Sequence, residues 1–304
     1  MTLRKPERRA TYRPMESSLA ARTALLTAVA MVAFAANSLL CRMGLGGGLI
    51  DAASFTAIRV VAGAVTLALI LAVQQKPRIG TNADWRAAAM LFTYMVFFSF
   101  AYLSLTAGTG ALILFGAVQL TMFTTALWTG ERFGPISWAG LALAVAGLVY
   151  LVSPGLSAPD PLGAVLMAIA GIAWGVYSLL GRGARDPLEA TASAFLYSVP
   201  PSVLVGVAYV AISSAFVTVS GVALAIASGA IASGCGYVIW YAALRGLTAT
   251  NAAVVQLSVP VIAAFGGVLF LAEDVTLRLV LASAGTLGGV TIVLMQRAAT
   301  PKAR

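Results

Sequence analysis

Histidine does not occur in this chain of 304 residues, and acidic residues are few, with 10 Asp and Glu against 19 Lys and Arg. Without histidine the chain lacks the commonest metal ligand and the usual proton relay at neutral pH. The two cysteines, Cys41 and Cys235, are far apart without metal-type spacing, so we interpret them as small core residues and expect no disulfide. We therefore predict neither a metal site nor a cofactor.

Sequence motifs of catalysis are missing as well. The chain contains no GxxxxGK[ST] phosphate-binding loop, no HExxH zinc motif and no pattern typical of a Ser-His-Asp triad. The first absence excludes an ATP-driven motor of the P-loop type. Together these absences lead us to expect a protein that is not an enzyme.

Charge is missing altogether from four long stretches of the chain. No Asp, Glu, Lys or Arg occurs at positions 87–130, 133–159, 190–244 or 246–272. Only 10% of the residues are charged, whereas about 25% is usual in a soluble domain. Because hydrocarbon excludes ions, these stretches predict membrane-spanning helices. The basic residues are spread over loops rather than gathered on one module, so we expect no nucleic-acid partner.

The hydrophobic pattern divides into ten spans joined by short loops, which predicts an all-α membrane protein. If both termini lie on one side, that side holds all Lys and Arg except Arg42, Arg59 and Arg278. This bias predicts cytoplasmic termini in a bacterial inner membrane. The predicted spans cover positions 23–43, 52–73, 85–105, 109–129, 134–152, 161–181, 190–212, 220–244, 248–271 and 275–296, within a few residues.

The two halves of the sequence resemble each other. Residues 38–42 match 178–182 at an offset of 140, and residues 128–132 match 270–274 at an offset of 142. Each half holds five spans, so the second copy enters the membrane from the opposite side, as in many secondary transporters. We expect a basic cytoplasmic amino-terminal tail, a first five-helix repeat, a linker, a second five-helix repeat and a cytoplasmic tail, at 1–22, 23–152, 153–160, 161–296 and 297–304.

Residues 251–262, followed by Glu273 and a last helix rich in small residues, carry a resemblance to a known family. With this pattern, and with Arg59 in the second helix, the chain resembles the drug/metabolite transporter superfamily, specifically its ten-helix EamA-type members. Through residues 173–177 and 236–240 it is most similar to the YddG-type exporters of aromatic amino acids and methionine. The proline of the family's fourth helix is replaced here by Val118.

Aromatic and polar residues mark one face of several predicted helices. Tyr and Trp three and four residues apart share a helix face, and here they lie at midspan rather than at the membrane interface. Such residues either line a transport cavity or pack the helix bundle, and for the whole set we favour the cavity. The predicted substrate-binding residues are Asn37, Tyr94, Phe98, Tyr102, Trp174, Tyr177, Ser178, Tyr237, Trp240, Tyr241, Gln256 and Ser258.

Prolines and charges inside the spans suggest further roles. Pro260 frees the carbonyl of Gln256 and predicts a hinge or a static kink, and Pro200 predicts a second bend. Arg59 either serves function inside the membrane or extends its side chain outward to the surface. Glu273 lies at a span end, where we expect it to face water or cap a helix.

Taken together, these features predict an exporter of small neutral solutes with an apolar side chain, and the family resemblance suggests aromatic amino acids or methionine. The chain would work by alternating access, without a titratable carboxylate at midspan to couple transport to protons. Drugs, nucleotide sugars or phosphorylated sugars remain alternative cargoes on the same fold. A channel or a membrane scaffold remains the alternative of a different class. Apart from its cargo and the bilayer we expect no partner, and a monomer whose GxxxG glycines pack internally.

Overall fold

The computed structural model describes residues 13–75, 84–181, 184–213 and 215–299. Within these residues every regular element is helical, and the single β-bridge joins Ile50 to Val217. The all-α fold class predicted from the sequence is thereby confirmed. Parts of both predicted tails lie outside the described residues, as does Arg182 of the repeat comparison.

Ten helices follow one another along the chain, as the hydrophobic pattern predicts. They are α1 (Arg13–Gly46), α2 (Ala52–Val73), α3 (Trp85–Ala101), α4 (Ala107–Trp128), α5 (Pro135–Val152), α6 (Pro161–Gly181), α7 (Pro187–Ile212), α8 (Val219–Leu244), α9 (Ala249–Gln256 and Ser258–Leu271) and α10 (Leu277–Ala299). Nine of those described are long and apolar enough to cross a membrane. The exception, α3, has 17 residues, so it is about 25 Å long, somewhat shorter than a hydrocarbon core of about 30 Å.

Local sequence sets the starts of many helices. A side-chain oxygen just before the first turn accepts a backbone N–H that has no partner within the helix, and such a cap is worth about 1 kcal/mol. The capping residues are Asp51, Thr106, Asp186, Thr218 and Thr248. α1 is longer than expected, since it begins at Arg13, ten residues before the predicted start of the first span.

Helix packing follows the internal repeat. α2 packs against α7 and α5 packs against α10, so each of these four helices meets its own repeat counterpart. The contact of α3 with α6 is matched by that of α1 with α8, and the contact of α4 with α6 is matched by that of α1 with α9. When each helix is replaced by its counterpart in the other repeat, five places along the chain, the main contacts are reproduced, as two inverted five-helix repeats require.

Glycines allow the closest of these contacts. A Cβ added to Gly140 in α5 would lie 2.7 Å from the backbone oxygen of Gly289 in α10. A Cβ added to Gly171 in α6 would lie 2.6 Å from the oxygen of Leu114 in α4. The GxxxG patterns at 171–175 and 285–289 therefore hold helices of the same chain together, in line with the expected internal packing.

Candidate functional site

An aromatic cluster occupies the centre of the bundle and joins helices of both repeats. Tyr94 of α3 lies 4.8 Å from Trp174 of α6, measured between ring centroids, and Trp174 stacks on Tyr237 of α8 at 5.6 Å. Phe98 of α3 extends the cluster on one side and Phe34 of α1 on the other. Such tilted and stacked pairs stabilise packing beyond the area that they bury.

A small cavity lies among these rings. Its volume is about 30 Å³, room for water but far below the roughly 300 Å³ or more of pockets that enclose drug-sized ligands. A cavity of this size must expand before it can hold an amino acid. The lining residues are Phe34, Asn37, Ser38, Tyr94, Phe98, Leu114, Phe115, Trp174, Ala232, Ser233, Tyr237 and Gln256.

Half of the predicted binding residues line this cavity, namely Asn37, Tyr94, Phe98, Trp174, Tyr237 and Gln256. Tyr177 and Tyr241 form a separate layer beside it, in which Thr191 bonds both hydroxyls, at 3.0 and 2.6 Å. The ring of Tyr177 still packs on Trp174, at 5.2 Å. These two tyrosines support the cavity wall from outside the lining.

The remaining four predicted residues lie near the cavity without lining it. Tyr102 packs edge-on against Phe98 and donates its hydroxyl to the backbone oxygen of Ala107. Trp240 is buried against Phe34. Ser178 and Ser258 each donate a hydrogen bond to the backbone of their own chain segment, to Trp174 and Val255 respectively.

The sequence prediction missed Ala232 and Ser233, two small residues that line the cavity from α8. Residues Ala227–Cys235 in the middle of α8 form a π-helix, a rare geometry that is frequent at functional sites. Within this segment, whose hydrogen bonds span five residues instead of four, Ser228 bonds Asn37 of α1 and Ser233 lines the cavity. A Cβ on Gly229 would lie only 2.8 Å from the backbone carbon of Arg59, so this glycine sets the close approach of α8 to α2.

A polar network connects Arg59 to the cavity wall. The Arg59 side chain is fully buried, at 0% exposure, which excludes the alternative that it extends to the surface. One terminal nitrogen donates to Oδ1 of Asn37 at 3.2 Å and the other to Sγ of Cys41 at 3.4 Å. Asn37 in turn donates to the hydroxyl of Tyr94 at 3.1 Å and accepts from Ser228 at 2.7 Å.

All contacts of this guanidinium are with neutral groups. Its carbon lies 5.0 Å from the ring centre of Phe98 and 5.9 Å from that of Tyr94, within cation–π range. Its Nε is buried without a hydrogen-bond partner, and no ion pair to Arg59 occurs in the described part of the chain. The site therefore has a positive charge that no carboxylate of the described residues neutralises.

α9 is interrupted where the proline predicts it. Its two helical parts meet at Leu257, three residues before Pro260. Because proline has no N–H, Pro260 cannot bond the carbonyl of Gln256, a residue that lines the cavity. Pro200, by contrast, lies on an exposed side of α7, which continues through it as one helix.

The ends of α1, α3, α4 and α9 are tied together on one face of the bundle, opposite the face where α1 begins. Arg42 forms an ion pair with Glu273 at 2.9 Å and donates to the backbone oxygens of Tyr102 and Leu103. The other Glu273 oxygen accepts the N–H of Ala107 at 2.8 Å. Glu273 thus caps another helix while it pairs with Arg42, rather than simply facing water.

The face where α1 begins, which we call the amino-terminal face, has instead a wide cleft between α1 and α9. The cleft has a volume of about 780 Å³ and is lined mainly by apolar side chains, with the hydroxyl residues Thr27 and Ser258 beside apolar residues such as Met31. Thr27 and Met31 precede the cavity residues Phe34 and Ser38 by seven positions, which places them on the same helix face. The cleft therefore leads along α1 toward the central cavity.

Comparison with known proteins places these features in context. The family model described as the EamA-like transporter family matches residues 21–153 and again residues 161–295. An "Uncharacterized protein PA1977" of Pseudomonas aeruginosa is 49% identical over 276 residues, which cover 91% of this chain and 96% of that protein. An "Uncharacterized transporter" of Archaeoglobus fulgidus is 24% identical over 72% of this chain and 82% of its own length.

Two further similarities are more distant. The "Uncharacterized transporter YoaV" of Bacillus subtilis is 22% identical and covers 75% of this chain and 82% of its own length. One crystal structure of a protein superposes with a TM-score of 0.64 at 18% identity, and covers 92% of this chain and 99% of the other. At that identity the match shows a shared fold.

Proposed function

This chain belongs to the EamA-like transporter family, and from that premise we propose that it exports neutral amino acids with an apolar side chain, above all aromatic amino acids and methionine, from the cytoplasm. The observation that carries the proposal is the aromatic cluster of Tyr94, Trp174 and Tyr237 at the junction of the two repeats. Aromatic walls bind a ring or a thioether side chain, and Asn37, Ser233 and Gln256 in the same lining offer hydrogen bonds to the polar end of an amino acid.

Transport through this cavity requires that each end open in turn. The positive-inside bias makes the amino-terminal face cytoplasmic, so the wide cleft opens to the cytoplasm and the Arg42–Glu273 pair closes the outer end. An exporter loads its cargo in this arrangement. Release then requires that the ion pair separate while the cleft between α1 and α9 closes. Because the two repeats are inverted, the outward-open arrangement is the counterpart of the inward-open one with the roles of the repeats exchanged.

The supply of energy follows from where the acids lie. Among the described residues, Asp and Glu occur at helix ends and loops rather than at midspan. We propose that the cargo moves down its own gradient, since a proton-driven carrier usually needs a titratable group inside the membrane. Accumulation driven by an imposed proton gradient, with no gradient of cargo, would contradict this part of the proposal.

The test is flux in proteoliposomes that contain the purified protein, with a panel of radiolabelled amino acids. We expect saturable flux of phenylalanine, tyrosine, tryptophan and methionine that an excess of any one of them inhibits, and no such flux of lysine or glutamate. Flux that rises linearly with concentration would indicate a channel. Absence of flux for the whole panel would overturn the cargo assignment, and a second panel of drugs and phosphorylated sugars would then test the alternative cargoes.

A further inference from the structure

We propose that Arg59, Asn37 and Tyr94 form an anion-recognition unit in the cavity wall and that this unit binds the carboxylate of the cargo. The inference rests on the proposed function, which it deepens by naming the chemical group that the site requires. We call these three residues the Arg59 unit.

The charge of Arg59 provides the first argument. A cation inside the hydrocarbon region is unfavourable unless an opposite charge or polar groups compensate it. Here the guanidinium is fully buried, its Nε has no partner, and its other contacts are one amide oxygen, one sulfur and two ring faces. The chain thus keeps a buried cation that has no anionic partner among its described residues. This cation lies close to a cavity that must expand to hold cargo.

The second argument is the direction of the hydrogen bonds. Oδ1 of Asn37 accepts from Arg59, whose guanidinium can only donate, and from the hydroxyl of Ser228, so the amide nitrogen of Asn37 must face Tyr94. The hydroxyl oxygen of Tyr94 therefore accepts from Asn37, and its own proton is left to donate. Tyr94 lines the cavity, so this proton is available to a ligand there.

Arg59 therefore acts on the cargo through Asn37 and Tyr94, as a positioning residue. Hydrogen bonds in a chain polarise one another, and a cation at one end strengthens the donor at the other. A donor under positive potential favours an anionic acceptor, which for a small apolar metabolite is a carboxylate. The same potential disfavours a ligand that has an ammonium group but no carboxylate, because its charge is positive and it offers Tyr94 no anionic acceptor.

Binding to the purified protein tests the selectivity that this unit would impose. The ligands are phenylalanine, 3-phenylpropionate, phenylalaninamide and phenethylamine, each added at equal concentration, with displacement of labelled phenylalanine as the readout. We expect the two carboxylates to compete and the amide and amine to fail by at least about tenfold. Equal competition by phenethylamine would overturn the proposal.

Matched tyrosine variants separate the donor from the ring. Tyr94→Phe keeps the ring and removes the hydroxyl, and we expect it to weaken carboxylate binding about 10- to 100-fold, the usual effect of losing a hydrogen bond to a charged group. Tyr197→Phe removes the hydroxyl of a side chain on α7 that is 49% exposed and takes no part in the cavity, and it serves as control with binding near that of the unchanged chain. Equal effects of the two substitutions would argue against the proposal.

Charge variants of Arg59 test the origin of the effect. We expect Arg59→Gln to abolish the preference for carboxylate over amide and Arg59→Lys to retain part of it, with folding checked by size-exclusion chromatography. If Arg59→Gln does not fold, the comparison of Tyr94→Phe with the ligand series decides. A preference that survives in Arg59→Gln would overturn the role of the cation.

Two outcomes distinguish this inference from the proposed function. If 3-phenylpropionate binds through Tyr94 but no amino acid is transported, the Arg59 unit stands and the cargo is another aryl carboxylate. If sodium chloride alone displaces labelled phenylalanine at low millimolar concentration and stabilises the protein equally, the unit holds an inorganic anion, and the assignment to cargo is overturned.

Discussion

Gly229→Ala is the substitution for which the structure gives the clearest expectation. This glycine lies in the π-helical part of α8, where it approaches the backbone of α2. An alanine Cβ would lie 2.8 Å from the carbonyl carbon and 2.9 Å from Cα of Arg59, and closer still to its carbonyl oxygen, whereas ordinary contact begins near 3.4 Å. Both partners are backbone, so no change of rotamer relieves the overlap.

The expected cost follows from this geometry. Overpacking in a well-packed interior destabilises by about 1–3 kcal/mol, and a clash between two helix backbones belongs at the upper end. For a chain of this size that corresponds to a fall in melting temperature of about 2–12 °C. Separation of α8 from α2 would also move Ser228 away from Asn37, so we expect weaker binding of phenylalanine by the protein that remains folded.

Thermal unfolding in detergent, monitored by fluorescence size-exclusion chromatography, measures the loss of stability. Displacement of labelled phenylalanine measures the loss of binding. Gly288→Ala is the matched control, since a Cβ there would meet no atom within 4 Å and alanine favours helix by about 1 kcal/mol over glycine. We expect this control to melt at or above the temperature of the unchanged chain. Equal melting temperatures for the two variants would refute the argument from close approach.

Three further predictions concern the cavity and its gates. Trp174→Ala should change the ranking of aromatic cargoes in competition assays, whereas Trp128→Ala, 86% exposed at the end of α4, should leave it unchanged; equal effects would contradict the site. Arg42→Glu should shift the balance toward the outward-open state about five- to thirtyfold, because it removes an ion pair worth about 1–2 kcal/mol. Adding Glu273→Arg should restore part of the original flux, and no rescue would argue against this pair as the outer closure. Pro260→Ala should slow transport without lowering the melting temperature, because the restored N–H bonds the freed carbonyl of α9; unchanged flux would make the kink static.

Much of the fold was predictable because the bilayer leaves few solutions. Backbone groups in hydrocarbon must bond within their own segment, so long uncharged stretches become helices, and the nearly equal offsets of 140 and 142 between matching segments indicate the repeat. The aromatic faces on α3, α6 and α8 were predictable for a similar reason, since residues three and four apart in a helix share a face. That spacing predicted Tyr94, Trp174 and Tyr237 as lining residues.

The rest of the site depended on features that composition does not reveal. A hydrophobic sequence pattern does not distinguish an α-helix from a π-helix, so the sequence did not show that Ser233 of α8 would line the cavity. The burial of Arg59 depends on partners from α1 and α3, and its sequence neighbours were equally compatible with a side chain at the surface. The pairing of Glu273 with Arg42 joins residues 231 positions apart.

The proline that only the second repeat retains explains the principal asymmetry between the two halves. Val118 occupies the position equivalent to Pro260, and α4 runs unbroken from Ala107 to Trp128 while its counterpart α9 is interrupted at Leu257. Both parts of α9 border the cleft, through Val255 before the break and through Ser258 and Ile262 after it, and the second part ends beside Glu273 on the opposite face. We propose that the break acts as a hinge, so that one helix joins both gates and movement at the cleft is transmitted past the cavity to the ion pair. Because α4 lacks such a break, we expect the first repeat to provide the more rigid wall against which α9 moves.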